Sequence, residues 1–170
     1  LRITGFDMPF SRGFTPSTGL LRIMADQNTP IFPGPGDLVL TDGVHFVRLP
    51  NCAIVPGSLQ QIYTDSDPKT WELRVFDRRW AWQDKMVTLH LNRRRLDGSI
   101  QEPKLHARGL AQALYNAMGE ANADVSSLSQ DVYPEVISGD APADARDVLA
   151  WLCKRLASEG GVDRTNTARI

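Results

Sequence analysis

Apolar and polar positions alternate along the first half of the chain in a way that predicts β-strands. In residues 71–76, Trp, Leu and Val alternate with Glu, Arg and Phe. This period of two gives a strand one apolar face and one mixed face. Similar runs predict further strands at residues 1–6, 20–24, 37–49, 59–63 and 86–91. Short strands with no helices between them are typical of antiparallel barrels and sandwiches.

The run at residues 37–49 predicts a β-hairpin. Asp42 and Gly43 lie between two segments rich in β-forming residues, and an Asp-Gly pair readily supplies the two positive φ angles of a type I′ turn. Another turn is predicted at Asp97 and Gly98. The prolines and glycines ahead of the hairpin predict a loop, because proline cannot donate a backbone hydrogen bond inside a central strand.

A helical period replaces the alternation after Pro103. Apolar side chains recur every four positions within residues 104–118, and Gly119 stands where a helix ends in a left-handed conformation. The recurring residues are Leu110, Leu114 and Met118. The sequence therefore predicts one helix over residues 104–118.

A second helix is predicted over residues 141–158. Asp140 is a suitable N-cap, and Pro142 is tolerated in the first turn. The apolar stripe of this helix comprises Ala145, Val148, Leu149, Leu152 and Leu156. The polar segment at residues 124–139 contains one Val-Ile pair, which predicts a short strand between the helices.

These patterns predict an α+β protein, with an antiparallel β-barrel or sandwich followed by a small two-helix α/β module. We place the β-barrel-like domain at residues 1–100 and the helical α/β module at residues 101–170. The chain begins with Leu1 instead of a methionine, and no obvious cap follows Gly160 at the other end. We therefore expect the natural chain to be longer than this sequence.

Composition and charge narrow the classes of function. Of the 170 residues, 42% are hydrophobic and 23% are charged, a globular composition that excludes disorder as the main state. With 19 Lys and Arg against 20 Asp and Glu, the net charge is −1, so the chain as a whole attracts neither nucleic acid nor anionic lipid. No apolar run reaches the ~18 residues that cross a bilayer. Cys52 and Cys153 are predicted to be buried free thiols, which fits a reducing compartment.

The motifs that carry common chemistries are missing from the sequence. Gly34 and Gly36 are not followed by the Lys and Ser or Thr of a phosphate loop, and Ser58 lacks the second glycine of a nucleophile elbow. The chain has three histidines, His45, His90 and His106. They are far apart along the sequence, whereas metal ligands cluster. We therefore expect no metal, no cofactor and no enzymatic activity.

Arginines stand beside aromatic residues in residues 75–82, and three more arginines follow at residues 93–95. Guanidinium groups and aromatic rings attract each other, so such segments stack on nucleic-acid bases or on protein partners. A nucleic-acid-binding β-barrel would join both segments into one basic aromatic face. The net charge and the neighbouring carboxylates favour a structural role or a protein interface over that reading. These carboxylates belong to Asp77, Asp84 and Asp97.

The sequence resembles the baseplate or tail-tip hub proteins of tailed bacteriophages, of the late-control-D type. The resemblance lies in residues 73–82 (LRVFDRRWAW) and residues 91–98 (LNRRRLDG). The opening segment at residues 5–14 and the helix-containing module at residues 110–156 also fit it. The resemblance covers most of the chain and carries no catalytic residue over to it.

The resemblance implies a structural protein of the virion, assembled in the cytoplasm of the bacterial host. Such a protein has a β-barrel domain in a ring at the end of the tail tube, with a small α/β module appended. Its partners are tail tube, distal tail or baseplate subunits, and neither membrane nor nucleic acid is implied. Hub proteins are typically trimers in which two barrel domains per chain mimic the sixfold tube. A homo-oligomer, and specifically a trimer, is therefore expected, although one barrel is evident in this sequence.

Interfaces favour Trp, Tyr and Arg, and this preference gives five candidate contact residues. They are Phe14, Arg78, Arg79, Trp80 and Trp82. Two alternatives stay open beside the tail role. One is a nucleic-acid-binding β-barrel that uses the Arg-aromatic face. The other is a hydrolase acting on cell wall or sugar, since tail tips often carry such domains.

Overall fold

The structure is a computed structural model, and it divides into two compact units. It describes residues 2–10, 13–26, 34–63, 68–137, 141–156, 161–162 and 168–169. Among these, the β unit contains residues 2–10 and 15–80, and the helical unit contains residues 13–14 and those from 81 onward. The chain passes from one unit to the other after Trp80, whereas its hydrophobic pattern turns helical only near Pro103.

One antiparallel sheet of six strands forms the β unit. The strands are β1 (Arg2–Asp7), β2 (Thr18–Ala25), β3 (Pro35–Thr41), β4 (Phe46–Ile54), β5 (Gln60–Tyr63) and β6 (Lys69–Phe76). Their order is β1-β2-β6-β4-β3, and β5 also pairs with β6. No pairing between described residues joins β1 to β3, so these strands form an open sheet. The α+β class is confirmed, and of the two predicted arrangements the sheet fits a sandwich rather than a closed barrel.

The buried face of the sheet follows the alternation along β2 and β6. Leu21 lies opposite Leu73, and Gly19 lies opposite Val75. The side chains of Leu21, Leu73 and Val75 are buried in a core that they share with other residues. The remaining members of this core are Met8, Ile23, Leu49 and Cys52. Gly19 has no room for a side chain, because a Cβ there would lie 2.8 Å from the Cβ of Met8.

The predicted hairpin joins β3 to β4, with Thr41 paired to Phe46. Its predicted type I′ turn is wrong, because Gly43 has a positive φ of 95° and Asp42 does not have one. The carboxylate of Asp42 instead accepts hydrogen bonds from the backbone N–H groups of Val44, at 2.9 Å, and His45, at 2.7 Å. The turn is therefore stabilised by the Asp42 side chain and not by the two positive φ angles of a type I′ turn.

The helical unit consists of two α-helices and short paired strands. The helices are α1 (Ala107–Ala117) and α2 (Ala145–Arg155). The strands are β7 (Met86–Val87), β8 (His90–Leu91), β9 (Val136–Ile137), β10 (Ala143–Asp144), β11 (Gly161–Val162) and β12 (Ala168–Arg169). β7 pairs with β10, β8 with β9, and β11 with β12. The short strand predicted between the helices is β9. A 3-10 helix, Arg78–Trp82, follows β6.

The first helix is shorter than predicted at its start. The backbone N–H of Leu105 donates to the side-chain oxygen of Asn92 at 2.7 Å, which holds residue 105 outside the helix. His106 is the N-cap, and its Nδ1 accepts a hydrogen bond from the N–H of Gly109 at 2.9 Å. Gly119 follows the helix with a φ of 89°, as predicted.

The second helix also starts later than predicted, because the residues ahead of it are used in a strand. Asp144 pairs with Met86, and the N–H of Ala145 donates to the carbonyl of Lys85 at 2.8 Å. The N-cap is Asp144, whose carboxylate accepts from the N–H of Arg146 at 2.8 Å. The predicted cap, Asp140, lies outside the described residues.

Both helices contribute to the core of the helical unit, which is separate from that of the β unit. Its buried members are Trp82, Leu110, Ala111, Leu114, Tyr115, Met118, Val125, Leu128, Val136, Ala145, Leu149 and Leu152. Of the predicted stripe of α2, Val148 and Leu156 pack against this core but are partly exposed. Neither described helix is long and apolar enough to cross a membrane.

The two cysteines are free and buried, as predicted. Burial raises the pKa of each thiol to about 11, and for Cys52 the charge of Asp77 adds to this effect. The Cys52 thiol donates to the carbonyl of Leu49 at 3.4 Å. The reactive thiolate is therefore scarce at neutral pH and shielded from reagents.

We expect neither thiol to react with a disulfide reagent at pH 8 while the chain is folded, and both to react at once in guanidinium. Absorbance of the released thiol measures the reaction. In Cys52→Ala, the number of thiols that react after unfolding should fall from two to one. Rapid labelling of the folded chain would contradict the burial of these groups.

Candidate protein interface

The five candidate contact residues fall in both units of the structure. Arg78, Arg79 and Trp80 belong to the β unit, while Phe14 and Trp82 belong to the helical unit. Arg79 and Trp82 have exposed fractions of 0%. These two side chains therefore hold the chain's own interior together, and the structure does not place them at a surface.

Arg79 forms a buried ion pair with Asp77, the residue that follows β6. Its Nε lies 3.0 Å and its Nη2 2.6 Å from Oδ2 of Asp77, and both side chains are fully buried. Nη2 also donates to the hydroxyl of Ser17 at 2.7 Å. The same carboxylate accepts the backbone N–H of Ser17 at 3.1 Å and that of Arg79 at 3.0 Å. The pair thus links the end of β6 to the residue that precedes β2.

Trp82 is the centre of an aromatic cluster in the helical unit. Its ring centroid lies 5.7 Å from that of Tyr115 in an edge-to-face arrangement, and 6.3 Å from that of Phe14. The indole Nε1 donates to Oε1 of the buried Glu120 at 2.9 Å. Such pairs stabilise a core beyond the area they bury. Trp82 therefore joins the start of this unit to the residues that follow α1.

Three of the five candidates are partly exposed: Phe14, Arg78 and Trp80. Trp80 is itself tied down, since its Nε1 donates to the carbonyl of Asn51 at 3.0 Å. The structure brings Phe14 and Trp82 into contact, and it places Arg78 and Trp80 in one 3-10 helix. A basic aromatic face built from residues 78–82 would lack the buried Arg79 and Trp82 and would keep the partly exposed Arg78 and Trp80.

Four exposed apolar residues of the β unit were not predicted as contact residues. They lie at the end of the β3–β4 hairpin and comprise Val39, Val44, Phe46 and Val47, which we call the hairpin tip. Their exposed fractions are 47%, 84%, 73% and 53%. Val39 and Phe46 share one face of the hairpin, and Val47 lies on the other. Apolar side chains exposed together at the surface mark interaction sites. The signal in the sequence was the presence of apolar residues on both faces of the hairpin.

Polar side chains join the two strands of the hairpin below its tip. Arg48 on β4 forms an ion pair with Asp37 on β3, and Oδ1 of Asp37 accepts the N–H of Asn51 at 3.1 Å. The Arg48 hydrogen bond, followed by that from Asn51, lowers the pKa of the Asp37 carboxyl. Both contacts of Asp37 therefore link β3 to β4.

The part of the chain that the structure describes contains no candidate metal site. No three His, Cys, Asp or Glu side chains come together there in a way that would hold an ion. His45 lies beside Asp42, with Nδ1 3.2 Å from Oδ2, and His106 caps α1. Two of the three histidines thus have structural partners.

No protein-family model and no curated protein sequence matches this chain. Among the solved structures that share its fold are two tail proteins. The tail protein from Neisseria meningitidis MC58 gives a TM-score of 0.58 at 10% identity, over 99% of this chain and 49% of that one. The 43 kDa tail protein of prophage MuSo2 from Shewanella oneidensis gives a TM-score of 0.56 at 12% identity, over 97% of this chain and 52% of that one.

Both neighbours are tail proteins. At such low identities the likeness establishes the fold, and it agrees at that level with the resemblance of the sequence to phage tail proteins. The chain spans about half the length of each neighbour.

Removing one member of the buried ion pair should cost much more stability than removing an exposed one. We expect Arg79→Leu to lower the free energy of unfolding by about 3–5 kcal/mol, because the Asp77 carboxylate stays buried without its counter-charge. Arg22→Leu, which breaks the exposed 2.9 Å pair with Glu72, should cost less than about 1 kcal/mol. Urea denaturation followed by circular dichroism measures both.

A double variant keeps this prediction testable if Arg79→Leu does not fold. Asp77→Leu combined with Arg79→Leu removes both charges and should recover much of the lost stability. Equal costs for Arg79→Leu and Arg22→Leu would contradict the structural role of the buried pair.

The turn of the hairpin should weaken in acid. Hydrogen bonds from the N–H groups of His45 and Val44 hold the pKa of the Asp42 carboxyl below its ordinary value. Their contribution is therefore complete above an ordinary aspartate pKa of about 3.9 and is lost as the pH falls through the lower folded value. Carbon-13 NMR of the Asp42 carboxyl should give a lower midpoint than in a peptide of residues 41–46. An equal or higher midpoint would refute the proposed turn bonding.

Proposed function

We propose that this chain is a structural component of a bacteriophage tail that forms part of the hub or baseplate ring at the end of the tail tube. The observation that carries the proposal is the fold match, which extends over 97–99% of this chain in two tail proteins. The resemblance of the sequence to hub proteins supports the position in the ring. On this proposal the chain acts through protein–protein contacts in the virion and performs no catalysis.

The hairpin tip supports a role in assembly. A rigid hairpin with four exposed apolar residues gains stability when a neighbouring subunit covers them, since apolar surface is costly in water. Tail tube, distal tail or baseplate subunits, or another copy of this chain in a trimer, would supply that cover. Of the candidate contact residues, the partly exposed Phe14, Arg78 and Trp80 remain in the proposed interface.

Electron microscopy of the assembled particle tests the proposal. We expect density for this chain on the tail axis at the end of the tube, in a ring of several copies. Native mass spectrometry of the chain purified with its neighbouring gene products should give the stoichiometry. A chain that stays monomeric and never purifies with tail proteins would overturn the proposal.

Variants of the hairpin tip test which surface makes the contacts. We expect Phe46→Ser combined with Val44→Ser to abolish co-purification with tail proteins while the chain stays folded, because both side chains already face solvent. Met86→Ser is the matched control, since Met86 is 56% exposed and lies in the helical unit. Equal loss of assembly in both variants would show that the hairpin tip is not the specific surface.

A further inference from the structure

Three consecutive arginines project on a second, smaller hairpin in the helical unit. Arg94 pairs with Ile100, the N–H of Arg95 donates to the carbonyl of Ser99 at 2.9 Å, and the N–H of Gln101 donates to the carbonyl of Arg93 at 2.8 Å. Gly98 completes the turn with a φ of 80°. We call residues 93–96 the arginine loop. Its backbone is thus held by regular hydrogen bonds.

The base of the arginine loop is anchored in the core. Asn92 is 1% exposed and has a positive φ of 57°. Its side-chain amide donates to the carbonyls of Leu105, at 2.6 Å, and Pro134, at 2.7 Å. Its backbone N–H donates to the carbonyl of Pro103 at 3.2 Å. This cluster of bonds fixes the direction in which the loop leaves the unit.

The carboxylates near the loop already have other partners. Asp97 accepts from the N–H and hydroxyl of Ser99 at 2.9 and 2.6 Å, and Glu102 accepts from the N–H of Lys104 at 2.8 Å. Glu135 accepts the backbone N–H of Arg94 at 3.1 Å, not its guanidinium. Among the described residues, no ion pair involves the guanidinium groups of the loop.

An apolar side chain stands at the apex between these charges. Leu96 is fully exposed, and all three arginines are exposed beside it. Together with Asp97 and Gln101 they line an open recess of about 740 Å³. The surface therefore presents three guanidinium groups around one leucine side chain. Because the backbone of the loop is already ordered, binding costs little backbone conformational entropy.

We propose that the arginine loop binds an acidic protein surface in which carboxylates surround an apolar recess that takes Leu96. Guanidinium groups bind carboxylates in a planar, two-bond geometry, and arginine is enriched at the energetic centres of protein interfaces. Three positive charges that form no ion pair with other described residues specify the sign of the partner's charge, and Leu96 specifies its apolar centre. The inference does not depend on the proposed tail role.

The residues of the loop favour a protein over a nucleic acid or a lipid surface. Binding of single strands relies on aromatic side chains on which bases stack, and residues 93–101 contain none. Trp82, the aromatic residue that the sequence placed nearest, is buried. A net charge of −1 gives no further attraction to a polyanion or an anionic bilayer.

Fluorescence anisotropy with short labelled probes tests the proposal. The main probe is a peptide that repeats two glutamates and one leucine, and the comparison probes are a glutamate peptide of equal length, a single strand of thymidines, and vesicles of phosphatidylglycerol and phosphatidylcholine. At low salt, we expect the leucine-containing peptide to bind more tightly than the three comparison probes. Its affinity should fall as the salt concentration rises. Replacing all three arginines by Ala should weaken it about tenfold or more.

Two variants separate the specific surface from general charge. Arg2, Arg22 and Arg74 are exposed arginines of the β unit, and replacing these three by Ala makes the same change in net charge. That control should bind the peptide as the parent chain does. Leu96→Ser should weaken the leucine-containing peptide by about tenfold and leave the glutamate peptide unaffected. All three variants change exposed side chains, so their melting temperatures should stay close to that of the parent.

The outcomes decide the inference in either direction. The inference is supported if peptide binding weakens in the variant that lacks the three arginines but not in the charge-matched control. Leu96→Ser must also weaken binding of the leucine-containing peptide. Equal loss in the charge-matched control would overturn the inference, as would the absence of peptide binding at low salt. Loop-dependent binding of the thymidine strand or the vesicles without binding of the peptide would also overturn it and would assign the loop to that ligand.

Discussion

The buried pair of Asp77 and Arg79 is the interaction on which the β unit depends most. Asp77 follows β6, the strand that pairs with β2, β4 and β5. A buried charge without its counter-charge is strongly destabilising, so the pair constrains how the chain leaves β6. The 3-10 helix that begins at Arg78 follows from this constraint, because the N–H of Trp80 donates to the carbonyl of Asp77 at 3.1 Å. Electrostatics thus fixes the end of the strand to which most of the sheet is attached.

Residue types that are typical of interfaces are used in two different ways in this chain. Arg79 and Trp82 are drawn inward, where a carboxylate partners each of them. Other side chains proposed for contact lie on two hairpins, one with an apolar end and one with a cationic end. Both hairpins are stiffened at the backbone by side chains, Asp42 in the first and Asn92 in the second. An apolar and a cationic surface are therefore both carried by hairpins whose backbones are held by side-chain hydrogen bonds.

The sequence predicts the strands and helices well because their patterns are local. Each predicted strand region overlaps at least one observed strand, and both helices lie inside their predicted ranges. The burial of Arg79 depends on Ser17, 62 positions earlier, and that of Trp82 on Glu120, 38 positions later. The start of α2 was shifted by the pairing of Asp144 with Met86. Periodicity carries no information about such long-range partners, which is why it did not predict that Arg79 and Trp82 are buried.

The distribution of tryptophans gives the two units separate spectroscopic signals. Trp71 and Trp80 lie in the β unit, and Trp82 and Trp151 lie in the helical unit. Trp82 is shielded from water, whereas Trp151 is 38% exposed. Loss of the helical core would move the emission of Trp82 to longer wavelength, and it would do so whether or not the sheet had opened. Fluorescence of chains that keep a single tryptophan would therefore reveal whether the two units unfold in one cooperative transition or in two.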